Sequence, residues 1–175
     1  MREPSINIAP EDGRAAEVLA AQAGDRAAFG RLYEKYSRMV HGILLAHVPY
    51  QEADDLMQNV FATALQKISG LRETEAVGGW FATLARNAAV DFYRRSRPNV
   101  ELLERHSTTR TVRVEAFAIL DEIQKLPEAY RETLVLRLVE GMTGPEIAER
   151  TGLTPDSVRV NLSRGMKQLR ERLSI

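Results

Sequence analysis

Two groups of side chains in this sequence are equipped for recognition chemistry, and neither is a set of nucleophiles. In the segment GGWFATLARNAAVDFYRRSRP, Trp80, Thr83 and Asn87 share one helical face and are followed by Arg94, Arg95 and Arg97. An aromatic ring, hydrogen-bonding groups and guanidinium groups in that order can stack on an unpaired base and hold the backbone beside it. Trp80 is equally consistent with a place in the hydrophobic core. The second group lies in TPDSVRVNLSRGMKQLRERL, where Asp156, Arg159, Val160, Ser163 and Lys167 sit opposite the apolar Val158, Leu162, Met166, Leu169 and Leu173. With Ser157, Asn161 and Arg164 on its flanks, that polar and cationic face suits a DNA major groove.

Other chemistry has little to work with. The chain has no cysteine, and His41, His47 and His106 are not grouped like metal ligands, so the histidines read as ordinary helix-surface or core residues. There is no glycine-rich loop with a phosphate-binding lysine. The carboxylates of Glu52, Asp54 and Asp55 read as a solvated helix start. The expectation is a protein that is not an enzyme, with no cofactor, no metal and no small-molecule substrate.

The formal net charge is zero, with 24 basic and 24 acidic residues, which taken alone argues against nucleic acid as a partner. The distribution argues otherwise. Glu52, Asp54 and Asp55 have no basic residue close by, whereas Arg86, Arg94, Arg95 and Arg97 are opposed locally by Asp91 alone, and Arg159, Arg164, Lys167, Arg170 and Arg172 outnumber Asp156 and Glu171. Separate acidic and basic surfaces fit a chain that binds DNA on one face and protein on another. No apolar run approaches the roughly 20 residues that span a bilayer, and the start MREPSINIAPEDGR lacks an apolar stretch behind a basic end, so a cytoplasmic address is expected.

The elements that must position these groups are helices, because Ala, Leu, Glu, Arg and Gln dominate and alternating β-branched stretches are scarce. A first helix is expected over about 11–23, ended by Gly24. Asp25 then caps a second that runs to about His47 and is broken by Pro49. A third, over about 51–67, carries Leu56, Val60, Ala64 and Ile68 on one stripe. Ser69–Gly79 reads as a loop. A fourth helix, from Gly79 or Trp80, places Phe81, Leu84, Ala85, Ala88 and Phe92 on a buried face. Residues 98–112 lack periodicity and read as a flexible linker. Helical pattern then resumes over Val114–Lys125 and again through Leu134, Val135 and Leu138. The fold class is therefore all-α, with two small helical domains at 11–97 and 113–175 and a disordered start at 1–10.

The end of the chain is a helix-turn-helix by its local signals. Thr143 with Glu146 forms a capping box, Pro145 sits in the first turn, Gly152 supplies the left-handed turn residue, and Thr154–Pro155 start the next helix. Small Ala148 and apolar Val158 let the two helices cross closely. On the third helix, Asp55, Gln58 and Asn59 form a polar patch beside Leu56, Val60 and Phe61.

In order along the chain, DRAAFGRLYEKYSRMVHGIL with EADDLMQNVFATALQKI, then GGWFATLARNAAVDFYRRSRP, then LPEAYRETLVLRLVEGMTGPEIAERTGLTPDSVRVNLSRGMKQLRERL resemble regions 2 and 4 of the extracytoplasmic-function (ECF) sigma factors, the smallest members of the main bacterial sigma family. The resemblance implies that Asp55, Gln58, Asn59 and Phe61 contact the clamp helices of the largest subunit of RNA polymerase. It implies that the loop with Arg72, together with Trp80, Thr83, Asn87, Arg94 and Arg95, holds the minus-ten element with a flipped base. It places Thr154, Ser157, Arg159, Val160, Ser163, Arg164 and Lys167 on the minus-thirty-five element, and their domain on the flap of the second-largest subunit. An anti-sigma partner is implied too, with apolar surface between the two domains as its docking site. Two positions depart from the family pattern: Asn59 stands where glutamate is usual, and Thr143–Gly144–Pro145 replaces a serine-plus-bulky opening. A stand-alone transcription regulator is the competing reading, and it has no use for the Asp55–Phe61 patch or the Trp80–Arg97 segment.

Overall fold

The computed structural model describes residues 12–96 and 112–174. The expected disordered start, and the expected linker apart from its last residue, lie outside them. The described residues are all-helical. Helices α1 (Asp12–Gln22), α2 (Arg26–His47), α3 (Tyr50–Lys67) and α4 (Val77–Ser96) form the first domain; α5 (Val112–Gln124), α6 (Glu128–Leu138), α7 (Gly144–Thr151) and α8 (Pro155–Leu173) form the second.

Local chemistry sets the boundaries. Gly24, at φ +93°, turns the chain after α1, and the Asp25 carboxylate accepts hydrogen bonds from the amides of Ala27 and Ala28 at 2.8 and 3.1 Å. Val48 and Pro49 are extended and separate α2 from α3.

The stretch expected as an open loop from Ser69 to Gly79 is more ordered than its sequence suggests. Two 3-10 turns, Ile68–Gly70 and Thr74–Ala76, lead straight into α4, which begins at Val77 rather than at Gly79 or Trp80. Tertiary contacts explain the difference. Ile68 and Val77 are buried, and the Gln22 side-chain amide donates to the carbonyls of Ile68 and Leu71 at 2.8 and 2.7 Å.

Helix α2 runs through the middle of the first domain, burying Leu32, Tyr36, Met39, Ile43 and Leu44. Phe81 of α4 packs against it, 5.1 Å from the Tyr36 ring and 5.2 Å from Phe61. The buried face of α4 is Val77, Phe81, Ala85 and Ala89, a stripe rotated from the expected one. Leu84, Ala88 and Phe92 are half-buried and line a groove beside α3 instead, because α4 contacts α2 and α3 at once.

In the second domain Leu134, Leu136, Met142, Ile147, Val158 and Leu169 are buried, while Leu162, Met166 and Leu173 are partly covered. Gly165 lets α8 cross α6 closely: a Cβ there would stand 3.0 Å from Leu134 Cδ1. The two domains also touch directly, with α2 against α5, α6 and α7, and α4 against α7.

Candidate nucleic-acid interface

The helix-turn-helix forms as its sequence dictates. Thr143 Oγ1 accepts from the Glu146 amide at 3.4 Å, and the Glu146 carboxylate accepts from the Thr143 amide at 2.8 Å, closing the capping box. The Thr143 amide foremost, and then the Thr143 hydroxyl, which donates to the same carboxylate at 2.8 Å, hold the Glu146 carboxyl below its ordinary pKa. Gly152 takes φ +76°, and Thr154 caps α8 by accepting from the Ser157 amide at 3.1 Å. We expect Thr143→Ala to destabilise the second domain by about 1 kcal/mol, read as a lower urea midpoint with an unchanged slope.

On the outer face of α8, Ser157, Arg159, Ser163, Arg164 and Lys167 are exposed and Val160 is half-exposed. Thr154 is already committed to the helix start, since its hydroxyl also donates to Ser157 Oγ at 2.8 Å. Arg159 lies 3.1 Å from Asp156, with both side chains more than three-quarters exposed. A pair so open to water contributes little and leaves Arg159 free to swing to another acceptor. Behind this face, between α7 and α8, lies an apolar hollow of about 610 Å³ lined by Pro145, Ala148, Leu153, Val158 and Leu162.

The groove between α3 and α4 was not legible as a groove in the sequence. Its volume is about 680 Å³, and it brings together Asn59 from the polar patch with Asn87 and Arg95 from the aromatic and basic segment. Asp55, Gln58 and Asn59 are all exposed. Phe61 is not: it is 5% exposed and packs 4.5 Å from the Tyr33 ring, so it braces the patch from beneath. Trp80 is half-buried, edge-on to Phe81 at 5.2 Å. Thr83 and Asn87 are exposed, although Thr83 Oγ1 donates to the Gly79 carbonyl at 2.9 Å. Arg72 is exposed in the segment before α4, Arg95 is exposed at the end of that helix, and Arg94 is paired with Asp91.

Sequence reasoning missed a charged seam between the domains. The Glu132 carboxylate, on α6, accepts two hydrogen bonds from Arg86 of α4 at 2.8 and 2.7 Å and lies 2.8 Å from His47 Nε2 on α2. Burial alone would raise the Glu132 pKa, but the bonds and charges of Arg86 and His47 outweigh it and hold the carboxyl below its ordinary range. Glu140 lies 2.7 Å from His41 Nδ1. That hydrogen bond, opposed by partial burial and aided by the charges of Glu140 and Asp54, raises the His41 pKa. Arg38 donates to the Glu140 carbonyl. The one available signal was weak: Glu132 stands directly before the apolar run TLVL, where a buried carboxylate needs a partner from elsewhere.

Among the described residues no group of His, Asp and Glu could hold a metal ion, and no helix is long and apolar enough to cross a membrane.

A capped helix-turn-helix joined to a second helical body with a polar and basic groove defines a DNA-binding transcription protein. Residues 32–98 match the family model described as Sigma-70 region 2, and residues 116–169 match Sigma-70, region 4. The chain belongs to the ECF RNA polymerase sigma factors, a family of non-catalytic subunits. It is 30% identical to the RNA polymerase sigma factor CarQ of Myxococcus xanthus over 86% of this chain and 91% of that protein. It is 28% identical to the ECF RNA polymerase sigma factor BldN of Streptomyces coelicolor over 87% of this chain, spanning 62% of BldN. Its fold is similar to that of the sigma factor RpoE from Bartonella quintana, solved in complex with the anti-sigma factor NepR, at a TM-score of 0.57 and 15% identity over 84% of this chain and 97% of that one.

Proposed function

We propose that this chain directs core RNA polymerase to promoters in the cytoplasm and opens the DNA there, making and breaking no bond itself. The observation that carries this reading is that one chain holds both a capped helix-turn-helix with an exposed cationic face and a groove where Asn59 meets Asn87 and Arg95. Residues 11–97 are the part that binds polymerase and the opened strand, and residues 113–175 the part that binds duplex.

In this reading Asp55, Gln58 and Asn59 meet the polymerase clamp, with Phe61 holding their helix in place. Arg72, Trp80, Thr83, Asn87, Arg94 and Arg95 hold the non-template strand of the minus-ten element. Capture of one base there offsets an unstacking cost of a few kcal/mol, so melting follows from trapping and needs no nucleotide hydrolysis. On α8, Ser157, Arg159, Val160 and Ser163 read the minus-thirty-five element, Arg164 and Lys167 hold phosphates, and Thr154 orients the helix start. The second domain rests on the polymerase flap. Because the linker ties the two contacts together, each raises the effective concentration of the other. The resemblance in fold to a sigma factor captured with its anti-sigma factor supports control by such a partner.

Transcription from promoter DNA by core polymerase, with and without the purified chain, tests the reading. Start-site-specific transcripts are expected only in its presence; specific duplex binding without any effect on polymerase points to a stand-alone regulator instead. A finer check is Lys167→Ala, expected to weaken binding about equally across sequences and to lower the slope of log affinity against log salt by about 1, the loss of one phosphate contact.

A further inference from the structure

The segment that follows α3 takes its shape from a distant helix. Gln22 stands at the end of α1, and its side-chain amide donates to the carbonyls of Ile68 and Leu71 at 2.8 and 2.7 Å, reaching 46 and 49 residues along the chain. Helix α1 is a firm base for that reach. Val18 and Ala21 are buried, Glu17 pairs with Arg31 of α2 at 3.1 Å, and α1 packs against both 3-10 turns. The segment itself is open to water, with Ser69, Gly70, Arg72, Glu73, Glu75 and Ala76 all exposed. Its bonds from the Leu71 amide to the Ile68 carbonyl and from the Ala76 amide to the Glu73 carbonyl, each 3.0 Å, span only three residues. One peptide plane matters most. The described peptide bonds are trans, so directing the Leu71 carbonyl toward Gln22 turns the Arg72 N–H, on the opposite edge of the same plane, away from α1.

We propose that Gln22 is a positioning residue for strand capture: from α1, ahead of residue 32 where the region 2 match begins, it holds the Arg72 segment in the shape that receives an unpaired base. The inference rests on the sigma-factor reading above and adds to it a side chain that need not touch nucleic acid. The physical ground is preorganisation. A segment ordered before binding has already lost its conformational freedom in folding, whereas one that orders on contact subtracts that cost from affinity. With Gln22 in place the Arg72 N–H faces away from α1 and the Arg72 side chain is exposed, so both stand ready as donors to a base or a phosphate. Without it the Leu71 carbonyl can turn to water, and the segment samples shapes that do not fit the strand.

Holoenzyme assembled from core polymerase and the full chain tests this. The probes come from promoters that the wild-type holoenzyme selects out of randomised duplex: the non-template single strand of the minus-ten part, and the intact duplex of the minus-thirty-five part. In Gln22→Leu, which keeps the bulk and removes the donor, affinity for the single strand should fall about ten-fold, as for the loss of two ordinary hydrogen bonds. Affinity for core polymerase and for the duplex should stay at the wild-type level. Ile43→Val trims a buried side chain of α2, lowers stability without touching the segment, and should leave strand affinity unchanged. Wild-type strand binding by Gln22→Leu, an equal loss of its affinity for core polymerase, or an equal loss of strand affinity in Ile43→Val overturns the proposal. Gln22→Glu guards against a folding defect in the leucine variant. Its carboxylate cannot donate, but its protonated form donates one bond. Strand affinity relative to wild type at the same pH should therefore rise as pH is lowered from about 7 to about 5, toward the ordinary glutamate pKa; a flat ratio overturns the proposal as well. A wild-type holoenzyme that selects no promoter sinks the sigma-factor reading itself, and the role of Gln22 with it.

Discussion

Phe81→Ala should remove about 3–5 kcal/mol of stability from the first domain, the range for deleting a fully enclosed aromatic ring. Phe81 is 0% exposed and meets Tyr36, Phe61 and Trp80 at ring-centroid distances of 5.1, 5.2 and 5.2 Å. Tyr36 can collapse into the space only by giving up packing of its own, because it is itself fully enclosed at 0% exposure. Against a total of about 5–15 kcal/mol for a typical domain, the loss is a large share of what keeps the domain folded. Function should fall on both faces together, since Phe61 under the polar patch and Trp80 in the first turn of α4 share this one support. Urea denaturation followed by the fluorescence of Trp80, the sole tryptophan, measures the change. The control is Leu65→Ala at a side chain 54% exposed, which should shift stability by no more than about 0.5 kcal/mol. A Phe81→Ala protein as stable as wild type contradicts the packing described.

The second large effect is expected from Arg86→Ala. Removing one partner from a buried pair commonly destabilises by about 3–5 kcal/mol, because the other charge is left without compensation; the value here falls toward the lower end, since His47 remains beside Glu132 and the Arg86 side chain is 36% exposed. The loss falls on the contact between domains rather than on either domain, so small-angle scattering should show expansion while the helical content stays constant.

The pH dependence of closure separates the two ion clusters. Glu132 faces Arg86 and His47, and its carboxyl pKa lies below 4.5 in the closed form. Its contribution is complete above 4.5 and is lost as pH falls through that depressed value. His41 faces Glu140, Asp54 and, through Glu140, Arg38, and its pKa lies above 6.5. Its contribution is complete below 6.5 and is lost as pH rises through the raised value. Only the Glu140 share belongs to the seam, because Asp54 stays with His41 in the same domain. Closure should therefore be tightest between about 4.5 and 6.5 and looser on either side. In Arg86→Ala, burial is no longer fully opposed, so the Glu132 pKa should rise and the acid limb should move to higher pH. Scattering across that range, with wild type and variant in parallel, measures both limbs.

Much of this protein could be read before it was folded, for a definable reason. The helix caps at Asp25, Thr143 and Thr154, the left-handed Gly24 and Gly152, and the break at Pro49 depend on interactions within a few residues, so their outcome is written in local sequence. The all-helical class and the helix-turn-helix follow from the same short-range rules, and the order of the segments carried the family resemblance.

What the chain order could not disclose were the properties that need two distant segments at once. The buried stripe of α4 is rotated from its apolar periodicity because α2 and α3 compete for the same helix, and Phe61 sits beneath the surface because Tyr33 covers it. The turns after Ile68 are ordered because Gln22, far back in the chain, ties down their carbonyls. His41 and His47 looked unremarkable until Glu140 and Glu132 arrived opposite them from the other domain. Local sequence determined which helices form and where they stop; only the tertiary structure decided which side chains are buried and which charges meet, because burial and ion pairing belong to neighbours that a helix does not carry within itself.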